Sequence, residues 1–246
     1  MPDPFHSLFE AILGDDRASV KALLNENSTL ATQTVRRNVL YESGIAHWIY
    51  AGDTALHLAA AGYRVEIARM LLAGGAEVGA AKNHRRSQPL HYAADGYLEN
   101  PAWDPKRQVA MIRLLVEAGA DLHAQDKNGA TPLHRAVRTR CAAAVKFLLS
   151  AGSDATLKNK PGSTPFHLAV QNTGRGGSGA EKAKAAQREI IQAFLERGVS
   201  PKLKDANGKS VFDWARSEWI RQALARGTPQ ANLEGQQTTN HKRIKS

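Results

Sequence analysis

The feature that most constrains the fold of this chain is a four-residue phrase that recurs along it. A hydroxyl or amide residue is followed by alanine or proline, then by an apolar residue and a histidine. Self-similarity of this kind predicts a repeat architecture rather than a single globular core. The four copies are Thr54-Ala55-Leu56-His57, Gln88-Pro89-Leu90-His91, Thr131-Pro132-Leu133-His134 and Thr164-Pro165-Phe166-His167, with a degenerate fifth at Ser210-Val211-Phe212-Asp213.

A second, apolar phrase follows each of the first four copies, and its apolar residues recur at helical spacing. In the first unit it starts at Val65 and ends at Gly74-Gly75, where glycine typically terminates a helix. Threonine or glutamine at the N-cap, with proline in the first turn, predicts where the preceding helix begins. Turn signals such as Asn128-Gly129 predict a short finger between units. Each unit is therefore predicted to be a helix–turn–helix followed by a β-turn finger.

These phrases resemble the ankyrin repeat, with its Thr-Pro-Leu-His helix start and its Gly-Ala-Asp helix end. The resemblance covers roughly residues 53–224. It implies an all-α solenoid of stacked helix-turn-helix units with β-turn fingers, about six units including caps. It also implies an L-shaped stack whose concave face, built from the fingers and the inner helices, binds other proteins.

The spacing of the helix starts shows where the chain departs from a simple repeat. The starts at residues 54, 88, 131, 164 and 210 are 34, 43, 33 and 46 residues apart, whereas a simple unit has about 33. Two units therefore carry insertions between their inner and outer helices. The predicted organisation is an N-terminal capping helix pair over 1–27, an extended loop over 28–52, repeats over 53–225 with insertions near 95–107 and 172–187, and a basic disordered tail over 226–246.

Charge and composition restrict the partners and the compartment. The formal net charge is +10 and the sequence pI is about 9.9, which favours acidic partners but does not select a fold. Cys141 is the only cysteine, so neither an internal disulfide nor a cysteine zinc cluster is available. The N-terminus lacks the pattern of a signal peptide, and no apolar run is long enough to span a membrane. We therefore expect a cytoplasmic protein without a membrane span.

The histidines of the recurrent phrase lie in register. A metal ladder is one interpretation, but no carboxylate or cysteine lies beside them at ligand spacing. The structural interpretation is that each imidazole orders its own turn through hydrogen bonds to hydroxyl and backbone groups. The ankyrin resemblance implies the same role. These structural-motif residues are His57, His91, His134 and His167.

No catalytic residue, cofactor-binding residue or metal ligand is predicted. The glycine-rich run from Gly174 to Gly179 is interpreted as a flexible insertion rather than an anion cradle. A phosphate-binding loop ending at Ser210 would need glycine where Leu203 stands. Cys141 is interpreted as a structural thiol, and no Ser–His–Asp order can be assembled. We therefore expect no cofactor and no enzyme activity.

The candidate partner-binding residues lie on the fingers, the inner helices and the first insertion. Arg86 stands where related fingers have glycine, so it either adopts a strained positive φ or changes the turn. Trp103 is interpreted either as an exposed aromatic of a binding hot spot or as a small local core that pins its own loop. The full set is Arg85, Arg86, Tyr97, Trp103, Lys127, Asn128, Arg138, Thr139, Lys160 and Lys209.

The leading functional hypothesis is a non-enzymatic protein–protein interaction scaffold that binds an acidic partner protein through its concave finger and inner-helix face. One alternative is an electrostatic nucleic-acid-binding protein, favoured by the net charge of +10 and the Lys-Arg tail. Against it, no helix or aromatic platform is patterned for base readout. The other alternative is an enzyme or small-molecule binder that uses the inserted loops. Caps at both ends favour a monomer.

Overall fold

The computed structural model describes residues 3–41, 45, 47–96, 103–171 and 180–226. Within these residues the helices form six consecutive pairs. The odd-numbered helices pack on one another as an inner layer, and the even-numbered helices pack as an outer layer. The all-α repeat solenoid predicted from the sequence is therefore confirmed. The pairs are α1 (Pro4–Leu13) with α2 (Arg17–Glu26), α3 (Ala55–Ala61) with α4 (Val65–Ala73), α5 (Pro89–Ala94) with α6 (Pro105–Glu117), α7 (Pro132–Arg138) with α8 (Ala142–Ser150), α9 (Pro165–Ala169) with α10 (Glu181–Glu196), and α11 (Val211–Trp214) with α12 (Glu218–Arg226).

The core is one continuous layer between the inner and outer helices, from Phe5 to Leu224. The inner helices are short and rich in alanine, and every residue of α3 is buried. Small side chains let neighbouring inner helices approach closely, because the distance between packed helices depends on the side chains between them. The outer helices fill the remaining space with larger apolar residues, such as Leu71, Leu115 and Phe194.

The recurrent histidines join each unit to the next. In the first repeat, the backbone N–H of Thr54 donates to Nδ1 of His57 (3.0 Å), and Nε2 of the same ring lies 3.1 Å from the carbonyl oxygen of Ser87 in the next unit. Because Nδ1 accepts, the proton of the neutral ring lies on Nε2 and is donated to that carbonyl. This geometry supports the structural interpretation of the histidines. The same contact to the following finger is made by His91 with Ala130, by His134 with Ser163 and by His167 with Lys209.

The segment over 28–52, predicted as an extended loop, contains two elements that the sequence analysis did not predict. A 3-10 turn spans Ser28–Ala31, and β1 (Val39–Tyr41) pairs antiparallel with β2 (His47–Ile49). This strand pair lies along the inner-helix face of the first three units. Tyr41 lies near Phe9 of α1, with ring centroids 6.5 Å apart, and the ring of His47 lies 4.9 Å from that of Tyr92 in α5. The pair therefore covers inner-helix surface that a simple repeat stack would leave open.

Each finger is a tight turn in which the residue two positions before the N-cap of the inner helix adopts positive φ. Glycine occupies this position in the other fingers, with φ of 92° at Gly52, 71° at Gly129 and 75° at Gly208. Arg86 occupies it in the third unit and adopts a φ of 53°. Its backbone N–H still donates to the carbonyl of Asn83 (2.9 Å), so the turn is retained and the arginine accepts the strained conformation.

Replacement of Arg86 by glycine is expected to raise the free energy of unfolding by about 1 kcal/mol, since glycine adopts positive φ without the steric penalty of a Cβ atom. Urea unfolding followed by circular dichroism measures the change. The matched control is Gly208→Arg, because an added Cβ there meets no atom within 4 Å and only the φ of 75° opposes it. This control is expected to lose about as much as R86G gains. A neutral or destabilising R86G would contradict the assigned strain.

The two units with long connections between their helices satisfy the carbonyl at the end of the inner helix in the same way. In the simple units, a backbone N–H just after the turn closes the end of the inner helix. In the long-connection units, a buried glutamine of the outer helix donates to the equivalent carbonyl. The backbone bonds are Arg64 to Ala59 (2.9 Å) and Cys141 to Ala136 (2.9 Å), and the side-chain bonds are Gln108 to Ala93 (3.1 Å) and Gln187 to Ala169 (2.8 Å).

A second side chain, supplied by the preceding unit, completes each of these helix ends. Tyr63 and Arg140 occupy equivalent positions after simple inner helices, with φ of 53° and 60°. The hydroxyl of Tyr63 donates to the carbonyl of Asp95, and Nη2 of Arg140 donates to the carbonyl of Gln171 (3.3 Å). A simple unit and a long-connection unit therefore form a pair, and the pair occurs twice in the described residues.

Candidate functional site

The fingers form a connected row along one edge of the stack. In the finger of the fourth unit, the carboxylate of Asp126 accepts the backbone N–H groups of Asn128 (2.8 Å) and Ala130 (3.0 Å), which fixes the turn. Neighbouring fingers are joined by single backbone hydrogen bonds. The N–H of Lys127 donates to the carbonyl of Arg85 (2.7 Å), and the N–H of Lys160 donates to that of Asn128 (2.9 Å). The side chains of the row are thus held in a fixed order.

The row carries positive charge that the fingers themselves do not neutralise. The finger carboxylates of Asp53, Asp126 and Asp205 are buried. Ion pairs in the described ranges involve other cations, such as Arg138 and Lys146, and no carboxylate lies within 4.0 Å of a finger cation there. We call these cations the finger row, and all of them except the half-buried Arg85 are exposed: Lys82, Arg85, Arg86, Lys127, Lys158, Lys160, Lys204 and Lys209.

The structure brings some of the predicted partner-binding residues together and separates others. Those on the fingers lie side by side in the row, whereas Arg138 is the last residue of α7 and Thr139 its C-cap, about 10 Å from the start of that helix. Arg138 pairs with Asp95 at 3.5 Å, and the hydroxyl of Thr139 donates to the carbonyl of Arg135 at 3.0 Å. The residues side by side in the row are Arg85, Arg86, Lys127, Asn128, Lys160 and Lys209.

Of the two aromatic candidates of the first insertion, the structure describes Trp103 alone. Tyr97 lies outside the described residues. Trp103 is half-buried, and its indole N–H donates to Oε1 of Gln108 (3.1 Å). That contact favours the interpretation in which Trp103 pins its own loop.

A buried ionic cluster, which the sequence analysis did not anticipate, lies beneath the inner-helix face. Arg135 occupies the position that holds leucine in α3 and α9, yet its guanidinium donates to Asp95 (2.7 Å), Asp126 (2.7 Å) and the hydroxyl of Ser87 (2.8 Å). Its side chain is only 4% exposed. Burial acts to raise the pKa of Asp126, but the hydrogen bond and charge of Arg135 outweigh it and hold that pKa below its usual value. The cluster therefore joins the third unit to the fourth through charge-assisted hydrogen bonds.

An aromatic surface on the strand pair adjoins the finger row. Leu40 and Trp48 are cross-strand partners, and both side chains are exposed, at 39% and 46%. The rings of Trp48 and Tyr50 are stacked with centroids 6.3 Å apart. The guanidinium of Arg85 lies 4.9 Å from the Tyr50 ring and donates to the Tyr50 hydroxyl (2.6 Å). A continuous series of side-chain contacts thus runs from the exposed strand face to the fingers.

The buried titratable side chains carry structural bonds. Burial lowers the pKa of His57, His134 and His167, and it lowers that of His91 to about 4 with help from the nearby charge of Arg135. Burial also raises the pKa of the Cys141 thiol, which disfavours the reactive thiolate. No group of three or more histidine, cysteine or carboxylate side chains able to hold a metal occurs in the described part of the chain.

Comparison with known proteins agrees with the repeat pattern. A family model described as ankyrin repeats (3 copies) matches residues 8–100 and 105–205. A search of curated proteins returned no match. Across the residues that the structure describes, no helix is both long and apolar enough to cross a membrane.

Proposed function

The chain belongs to the ankyrin-repeat family, whose repeats generally serve protein–protein interaction, and from that membership we propose that it is a non-enzymatic scaffold that binds an acidic partner protein. The observation that carries the acidic partner is the finger row, an ordered line of exposed cations without carboxylate partners in the described residues. Exposed cations steer an oppositely charged protein and raise its association rate more than they raise the final affinity.

The fixed geometry of the row supports binding rather than a purely solubilising role. Backbone bonds between neighbouring fingers hold the cations in order, so little conformational freedom of the backbone is lost when a partner docks. The buried histidines and carboxylates of the described residues are engaged in hydrogen bonds that order the fingers and join the units, which supports a non-enzymatic function. We further propose a cytoplasmic monomer in which the finger row is open to the partner, together with the part of the inner-helix face that the strand pair leaves uncovered.

Reversing the charge of two fingertips tests the assignment. The variant K127E/K160E is expected to lower the association rate with the acidic partner by about tenfold at low salt, because two exposed lysines of the row become carboxylates. The matched control is K21E/K106E, which makes the same change of net charge on two exposed outer-helix lysines and is expected to leave binding unchanged.

The first measurement is capture from nuclease-treated lysate by immobilised wild type, variant and control at about 0.15 M salt. Proteins retained by the wild type and the control but lost by K127E/K160E would place binding on the row, and their association rates can then be measured. Equal loss in both variants would show that only net charge matters. Retention of nucleic acid alone, and only without nuclease, would replace the scaffold with the electrostatic alternative.

A further inference from the structure

The strand pair presents an apolar surface of a kind that the rest of the described chain does not show. Leu40 and Trp48 are the large hydrophobic side chains exposed in the described residues. They face outward together because side chains of a strand alternate and cross-strand partners lie on the same face. We call Leu40, Trp48 and Tyr50 the strand platform. Tryptophan and tyrosine are enriched in the buried centre of protein interfaces, where they act as anchors.

The strand platform is held rigidly from below. The ring of His47 packs on Tyr92 at 4.9 Å between centroids, and Ile49 of the same strand is fully buried. The backbone N–H of Ala51 donates to the side chain of Asn38 (2.9 Å), which ties the two strands together beyond their paired residues. A platform fixed in this way needs no ordering when a partner binds, and that raises affinity for a given contact area.

The platform is also continuous with positive charge. Tyr50 stacks on Trp48 on one side and contacts Arg85 on the other, and His84 lies edge-on to the same ring at 5.0 Å. The next cation of the row follows at once, since the N–H of Lys127 donates to the carbonyl of Arg85. An apolar anchor therefore lies at one end of a line of cations rather than apart from it.

We propose that the strand platform holds an apolar side chain of the acidic partner, while carboxylates on the same extended segment pair with the finger row. This inference rests on the proposed function and specifies the chemistry of its partner. Packed helices are about 9 Å apart, and an extended chain in the polyproline II conformation advances about 3.1 Å per residue and places every third side chain on the same face. Equivalent fingers are thus about three residues of extended peptide apart. The recognised segment has one large apolar residue followed, in one chain direction, by acidic residues at every third position.

Two labelled peptides test this pattern by fluorescence anisotropy. In the anchored peptide, one leucine and three glutamates stand at every third position of a serine–glycine background. The peptide is made with the leucine at either end, so that both chain directions are tested. The anchorless peptide has alanine in place of leucine. In one of the two chain directions, wild-type protein is expected to bind the anchored peptide about tenfold more tightly than the anchorless peptide. The reason is that the leucine side chain is transferred from water to the apolar surface of the platform.

Variants separate the anchor from the charge. W48S is expected to lose the tenfold preference and keep its affinity for the anchorless peptide, whereas W48F keeps part of the preference. K127E/K160E is expected to weaken both peptides. Unchanged circular dichroism in W48S confirms the fold, since the side chain it removes is exposed.

Each remaining outcome contradicts one of the two proposals. Equal binding of both peptides by the wild type, or a preference that persists in W48S, overturns the strand platform as an anchor site and leaves the scaffold intact. Binding of neither peptide at about 0.15 M salt overturns the acidic partner itself. A wild-type dimer in sedimentation that W48S abolishes would assign the platform to a second copy of the chain and overturn the inference.

Discussion

Replacement of Arg135 by leucine is expected to lower the free energy of unfolding by about 3–5 kcal/mol, although leucine is the residue at the same position in α3 and α9. The loss arises because the buried Asp126 and the largely buried Asp95 lose the guanidinium, from which each accepts a bond of 2.7 Å. Removing one partner of a buried ion cluster is far more damaging than replacing the whole cluster. Urea unfolding at neutral pH measures the change.

Two controls identify the buried carboxylates as the cause. Arg138→Leu removes a second cation next to Asp95, but that side chain is 57% exposed, so a loss below about 1 kcal/mol is expected. The triple variant R135L/D95N/D126N removes the cation and both charges, and it is expected to be more stable than R135L alone. If R138L were as damaging as R135L, or if the triple variant gained nothing, burial of unpaired charge would not be the explanation.

Acidification is expected to destabilise the protein steeply between about pH 6.5 and pH 4, before the carboxylates titrate. Burial holds the pKa of His91 at about 4 in the folded chain, whereas an unfolded histidine takes up a proton near pH 6.5. The unfolded state therefore binds more protons in this window, so stability is full above it and is lost as the pH falls. His91 alone contributes about 3 kcal/mol of that loss. A proton on its Nδ1 would also face the backbone N–H of Gln88, which now donates to it at 3.1 Å.

Unfolding midpoints in urea between about pH 7.5 and pH 5 measure this slope. H91Q lowers stability at neutral pH but is expected to flatten the slope, because glutamine does not titrate. H6Q removes a histidine whose side chain is 66% exposed and is expected to leave the slope unchanged. A slope that H91Q leaves intact would place the acid sensitivity on other groups. The lowered pKa values of Asp95 and Asp126 add their own loss only below about pH 4.

The parts of the fold that the sequence could predict are those specified by neighbouring residues. A Thr-Pro start, a closing glycine and an Asn-Gly turn each determine local backbone geometry, so the helices and fingers follow from the sequence. The strand pair does not follow, because three-residue strands give almost no periodic signal. The pair is stabilised by contacts with Phe9 and Tyr92, which lie in other units. The contacts that order it become visible only after the units stack.

In the candidate site too, the sequence could locate residues whose position depends on local geometry but not residues whose role depends on distant contacts. Fingertip cations such as Lys127 could be located from their place in the unit, since finger geometry is local. The role of Arg135 could not, because its partner Asp95 lies 40 residues earlier and nothing near Arg135 indicates burial. Trp103 and Trp48 illustrate the same limit. Both lie in irregular segments, and only tertiary packing decides that the second is exposed and the first is half-buried.

The double-unit pattern of helix-end caps has a consequence for how this chain can change length. Tyr63 and Arg140 are 77 residues apart, and each serves a carbonyl that belongs to the unit after its own. A deletion or duplication of one unit would leave one such donor facing the wrong neighbour and one helix end without its cap. Removal or addition of a whole double unit preserves every donor and acceptor. The segment of this protein that can be removed or added is therefore two units long, twice the length of the repeat that is visible in its sequence.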